Sequence, residues 1–356
     1  RTPRSPGCRT TVENNIHKET AMKICTKVIS LIFTTCLAAP AIAGSRNVDC
    51  DAGDSLQNAL DSGVGSAAPI EIEVTGTCYG TFTMSRDRVT ILGDGSTTIH
   101  GTLRIFGSQQ VVLRDLIFTG PGDGLRVVNS RARIFDTQIV DNGSAGVYAG
   151  DNSVVRLSRS QVGNNGGPFG VVAYGSNVYL SFTDVYGHPD SGVAVTDNSL
   201  ANIRGGSVTG NGEGVYANNS VITVRDTWIA DNSGMGVSLA GSRGHLFDVT
   251  VSGNGSIGLH VNFTGSAAVY GGAIENNGGS GVLADMHAVF SLDGTRVESN
   301  GNHGIELIHD AGALIVGTSH VPANLSGLAA WCGDEESSVQ VHEPAEVGPM
   351  DDCTDF

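Results

Sequence analysis

His260, Asp285 and Glu306 are the side chains best suited to proton transfer, because each stands two to four residues after a glycine that recurs along the chain. His287, His303, His309 and Asp310 fall in the same three segments. An imidazole flanked by carboxylates is equipped for general acid and base work, and carboxylates on adjoining segments could share a cation such as Ca2+. The alternative is a solvated polar turn that merely contains histidines. Two other sets deserve note. Tyr148, Tyr174 and Tyr216 follow the same glycines and offer flat faces, although exposed tyrosines are also common on strands. Arg126, Arg131, Arg133, Arg156 and Arg159 form the one local basic area.

What must position these residues is a repeat. Glycine followed by an aliphatic residue recurs at Gly124, Gly146, Gly170, Gly192, Gly214, Gly236, Gly258, Gly281, Gly304 and Gly327, at spacings of 22 to 24. Periodicity of this length marks a stacked supersecondary unit. Each unit opens on an alternating strand whose apolar positions, such as Val147/Ala149, Val215/Ala217 and Ile305/Leu307, face inward. A polar turn follows, then a second strand such as Val221 to Val224, a bend, a third strand such as Thr227 to Ala230, and a closing turn rich in Asn and Gly. This pattern predicts an all-β fold, a parallel β-helix (solenoid) of about ten coils with capped ends. Coils about 4.8 Å apart would make a rod on the order of 50 Å long. Strict alternation points Arg126, Tyr148, Tyr216, His260 and Glu306 outward in one line, with Val172, Ala194, Ser238 and Leu283 between them. Asn142, Asn165, Asn211, Asn232, Asn254, Asn277, Asn300 and Asn324 precede most repeat glycines and predict a stack of turn asparagines. A leucine-rich repeat is excluded by the scarcity of leucine, and a calcium-binding nonapeptide roll by the lack of Gly-Gly-x-Gly-x-Asp.

Residues from about 101 to 330 resemble the right-handed parallel β-helix repeats of the pectate-lyase-like superfamily. The resemblance is specific for fold and covers lyases, hydrolases, epimerases, adhesins and non-catalytic members, so it implies a glycan groove along the first strands without fixing an activity. In that light a lyase site would centre on Arg126, and Tyr148, Tyr174 and Tyr216 would bind sugar. The sequence lacks the paired aspartates and Gly-His-Gly of polygalacturonase-like hydrolases. It also lacks the Asp-Pro-His-Asp of alginate epimerases, since His188-Pro189-Asp190 holds those components in another order.

Fifty glycines in 356 residues fit a turn-rich fold, and ten prolines exclude collagen. The stretch from Met22 to Ala43 has two lysines, an apolar run from Val28 to Ala39 and Ala41-Ile42-Ala43 before Gly44, as a secretory signal does. Residues 1–21 are expected to be a translated leader, 22–43 the signal, 44–100 an N-terminal cap and first coils, 101–330 the repeats, and 331–356 a C-terminal cap and acidic tail, partly loose over 334–356. Removing the first two segments takes every lysine and leaves 14 arginines against 34 acidic residues. Such a surface repels nucleic acid and anionic membrane. Cys50, Cys78, Cys332 and Cys353 then remain, and their spacing favours Cys50 to Cys78 and Cys332 to Cys353 over a metal site. Ser55 to Ser62 reads as a short capping helix with Leu56, Ala59 and Leu60 on one face, and Trp331 with a Cys332 to Cys353 loop carrying Pro344 and Pro349 as a plug for the far end of the core. The expectation is an exported monomer, periplasmic or extracellular and bacterial, with no membrane span. It binds or processes a polysaccharide or cell-surface glycan; the alternative is a non-catalytic binding or structural module. No cofactor is expected beyond a cation such as Ca2+.

Overall fold

The computed structural model describes residues 44–351 and 353, apart from 63, 66 and 326; the expected leader and signal lie outside the described residues. Short runs rich in β-branched residues, such as Val221–Arg225, alternate with Asp, Asn and Gly at positive φ, so every few residues the chain turns a corner. The result is a right-handed parallel β-helix. Its strands form three parallel sheets. Sheet I collects the first strand of each repeat, thirteen in all, from Phe82–Met84 to Met350–Asp351. Sheet II has fourteen strands, from Gly44–Asp49 to Ser338–Val341, and sheet III thirteen, from Thr77–Tyr79 to Glu346–Val347.

About thirteen coils replace the expected ten. The extra sheet I strands, Phe82–Met84, Leu103–Phe106 and Met350–Asp351, are preceded by Thr81, Thr102 and Pro349 where the others have glycine or an alanine, so the sequence marker misses them. The marker glycine answers close packing. A Cβ on Gly146 would sit 2.5 Å from Val162 Cγ1 and 2.8 Å from the Gly170 carbonyl oxygen.

Each coil sends its alternate apolar side chains into one shared core. In the coil opening at Gly146, Val147, Ala149, Val155, Leu157 and Val162 are fully buried. Each valine or leucine contributes roughly 1.5–3 kcal/mol on transfer from water. Two polar ladders close the corners. Asn142, Asn165, Asn211, Asn232, Asn254, Asn277, Asn300 and Asn324 stack as the sequence predicts, with, for example, Asn232 Nδ2 donating to Asn254 Oδ1 at 2.8 Å. His188, which no asparagine pattern would select, fills the missing rung between Asn165 and Asn211. A second ladder unites Ser130, Ser153, Ser176, Ser199 and Ser220, each hydroxyl accepting from the backbone N–H of the serine one coil before.

The helix Leu56–Asp61 caps the first coil, with Leu56, Ala59 and Leu60 buried and the Ser55 hydroxyl accepting the Asn58 N–H at 3.2 Å. Cys50 pairs with Cys78 and Cys332 with Cys353. Two expectations for the far end are corrected. Residues 338–351 are not a loose tail, because Ser338–Val341, Glu346–Val347 and Met350–Asp351 add a strand to each sheet. Trp331 does not plug the core: it pairs in register with Glu306, on the outer face of sheet I, and stacks on His303 at 5.4 Å.

Candidate functional site

Sheet I carries outward columns two residues apart, because in-register parallel pairing repeats the same side-chain direction in every coil, and Tyr174, paired with Gly150, stands in the column beside that of Tyr148. Arg126 stands beside Tyr148, then follow Val172, Ala194, Tyr216, Ser238, His260, Leu283, Glu306 and Trp331. At one end the Arg126 guanidinium lies 4.0 Å from the Tyr148 ring centroid and 3.2 Å from Asp123. Tyr148 and Tyr174 rings are 5.7 Å apart. Tyr216 accepts a hydrogen bond from Asn218 at 3.0 Å. Outward does not mean exposed, however. Val172 and Ala194 are buried, forming with Ala145 a small apolar cluster against which Tyr148, Phe169, Tyr174 and Tyr216 pack, and Ser238 is buried too. The tyrosines are thus plates seated on an apolar bed.

Farther along the column lie the predicted acid and base groups. His260 and Glu306 are two coils apart with Leu283 between, roughly 10 Å along the rod, so they are not direct partners. Burial holds the His260 imidazole below its ordinary range, opposed by the nearby Asp285 and Glu306 charges. Its Nε2 is buried without a hydrogen-bond partner, as is Asn262 Oδ1 two residues on. Asp285 is engaged by His309, whose Nδ1 donates to it at 2.6 Å; that bond and the Asp285 charge raise His309. Glu306 accepts from the Ser280 hydroxyl at 2.5 Å. His287 stands 3.7 Å from Asp310, and His303 Nδ1 accepts the Leu328 N–H at 3.0 Å.

The turn beside this cluster is strained. Phe263, Thr264, Met286 and His287 all have φ between 52° and 61°, whereas the matching turns in earlier coils use Asp151-Asn152 and Asp197-Asn198. Bulky or β-branched residues pay roughly 1–3 kcal/mol each for such a conformation, which persists where the surroundings impose it. Phe263 and Met286 are also exposed.

The five arginines do not form one site. Arg126 is on sheet I, Arg131, Arg133 and Arg156 are on sheet II, and Arg159 sits in the bend beyond, bound to Asp136 at 2.7 Å. Arg126 is also six coils from His260, roughly 29 Å along the rod, so the four residues assigned to chemistry fall into two separate places. Glu213 escaped the sequence reading. Burial, reinforced by Asp190, pushes its carboxyl above the usual carboxylate range, and it opens the strand Glu213–Asn218 that carries Tyr216. The one available signal was its separation of one coil from Asp190. Among the described residues no group of three or more His, Cys, Asp or Glu side chains is placed to hold a metal, and no helix is long and apolar enough to cross a membrane.

Several solved structures share this fold at low identity. The A-module of mannuronan C-5 epimerase AlgE4 from Azotobacter vinelandii is 14% identical, with 86% of this chain and 97% of that chain covered at a TM-score of 0.58. Tailspike protein 3 of bacteriophage CBA120 is 14% identical, with 86% of this chain and 61% of that one covered at 0.61. A variant of the periplasmic alginate epimerase AlgG is 13% identical, covering 80% and 77% at 0.58. No curated protein matches the sequence. The family model described as the right handed beta helix region matches residues 101–254 and 191–341, more than half of the sequence. By repeat, topology and family match together, the chain belongs to the right-handed β-helix family.

Proposed function

We propose that this protein is exported to the periplasm or cell exterior and binds a polysaccharide laid along sheet I, parallel to the rod. The observation that carries the reading is the row of Tyr148, Tyr174 and Tyr216 on its apolar bed, with the Arg126 guanidinium at one end. Pyranose rings present C–H faces that settle on aromatic plates, and coils about 4.8 Å apart offer a repeating floor to a repeating chain. Proteins named for mannuronan and alginate epimerisation share the fold, which agrees with a glycan as ligand. Two disulfides and the expected signal sequence support export. Incubation with a panel of uronate and neutral glycans, followed by affinity electrophoresis, tests the reading; retention of none of them overturns it.

A second reading, that the glycan is also processed, is favoured by one specific observation. The neutral His260, with its Nε2 buried and unpartnered, lies beside the Asp285–His309 pair. A neutral imidazole is a competent base, and a carboxylate-held imidazolium is a competent acid. In this reading His260 takes the proton at C5 of a uronate, the C4–O glycosidic bond breaks as the C4=C5 double bond forms, and His309, oriented by Asp285, protonates the departing oxygen, while Glu306 holds a sugar hydroxyl. Release of unsaturated products or new reducing ends, assayed with and without added Ca2+, supports processing; their absence leaves a binding module.

A further inference from the structure

We infer that sheet II carries a second binding face, for a carboxylate-bearing polysaccharide. This face is distinct from sheet I and does not depend on the reading given there.

Seven successive strands of sheet II, from Val111–Arg114 to Arg243–Phe247, contain seven arginines and not one aspartate or glutamate. The whole sequence holds 36 acidic against 20 basic residues, so the sorting runs against composition. Arg131, Arg133, Arg156, Arg225 and Arg243 are exposed, and among the described residues none of their guanidinium groups has an ion-pair or hydrogen-bond partner. Arg204 is 3.8 Å from Asp226. Arg133 and Arg156 pair directly in register, which brings like charges together at a cost in stability. Unpaired, adjacent guanidinium groups can engage an anion without breaking an existing ion pair.

The arginines are also braced. Arg114, Arg156 and Arg225 lie over the rings of Phe135, Tyr179 and Phe247 at 5.1, 4.5 and 3.6 Å. Such stacking lowers the entropy lost on engaging a ligand and leaves the planar fork free to take a carboxylate with two bonds. Arg131, Arg133 and Arg156, with Gln110, line a depression of about 400 Å³. The bend after these strands carries Asp115, Asp136, Asp226 and Asp248, which disfavours an anion along that edge and favours one running along the strip. The charge density of the ligand decides its class. Duplex nucleic acid presents one negative charge per 1.7 Å and meets the strongest repulsion from an acidic body, whereas a polyuronate presents one per sugar, with apolar ring faces that the interleaved aromatics can take.

The test uses the Tyr148→Ala/Tyr216→Ala protein, in which two plates of sheet I are removed, with Arg133→Ala/Arg156→Ala added or not. Polygalacturonate, neutral dextran and a short DNA duplex are titrated at low and high salt, and cooperative melting no lower than the parent's confirms that the variants fold. The expected result is that polygalacturonate binds, and that the arginine double substitution or high salt weakens it about tenfold or more. Dextran is expected not to respond to either change. The inference is overturned if polygalacturonate does not bind, if the double substitution leaves its affinity unchanged, or if DNA binds more tightly.

Discussion

His188 accepts a hydrogen bond at Nε2 from Asn165 Nδ2 at 3.0 Å and faces Asn211 Oδ1 with Nδ1 at 2.8 Å, so one imidazole completes a ladder otherwise made of asparagine. An amide nitrogen can only donate and an amide oxygen only accept. The ring is therefore the neutral Nδ1–H tautomer. Burial lowers its pKa from the ordinary 6.5, although the Asn211 bond opposes the shift. The unfolded chain then binds more protons as pH falls, so this contribution to stability is intact above about pH 6.5 and is lost as pH drops from there through the folded value. His188→Asn restores the common rung. Thermal melting across pH 7.5 to 5 should show a shallower acid-side loss in His188→Asn than in the parent; equal slopes would refute the neutral rung. His188→Ala removes the ring and its two bonds from a buried rung, leaving Asn165 Nδ2 only the Ile139 carbonyl and Asn211 Oδ1 only the backbone N–H of residue 188, and should cost about 2 kcal/mol.

The Asp285 carboxylate holds the exposed His309 imidazolium, giving the opposite sign. That stabilisation is present below the ordinary histidine pKa of 6.5 and fades as pH rises through the raised folded value. In an NMR titration the His309 ring should titrate above 6.5 in the parent and return toward it in Asp285→Asn. An unchanged midpoint would show that the contact does not govern the ring.

Phe263 and Thr264 hold left-handed backbone that other coils give to aspartate and asparagine. Exchanging them for Asp and Asn should stabilise the fold by about 1 kcal/mol per position. If the strained turn serves the neighbouring cluster, the same exchange should lower glycan binding or turnover; a stable variant of full function would mark the turn as incidental.

The coil itself was legible because Gly146 and its counterparts meet backbone and ladder asparagine too closely for any side chain, which leaves a visible mark in the middle coils though not in the terminal ones. The asparagine ladder was legible for a similar reason: a single residue type does the work. His188 was hidden because a different residue meets the same two bonding demands. Alternation fixed which way Val172 and Ala194 point, but their burial depends on the reach of Tyr148, Tyr174 and Tyr216 from neighbouring coils, which spacing does not encode. The grouping of Arg126 with Arg131 and Arg156 failed for a geometric reason. Five residues suffice to turn a corner of the coil, so neighbours in sequence occupy different sheets. The serine ladder left no separate signal, since serine is common in any polar turn.

The tyrosine row on sheet I bears the central claim. The most direct measurement is glycan affinity of the parent beside Tyr148→Ala and Tyr216→Ala, with the glycan taken from the best-retained member of the panel. Each substitution is expected to weaken binding about tenfold, the loss of one aromatic plate, while melting temperature stays close to that of the parent. Binding that is equally tight in both variants would contradict the account.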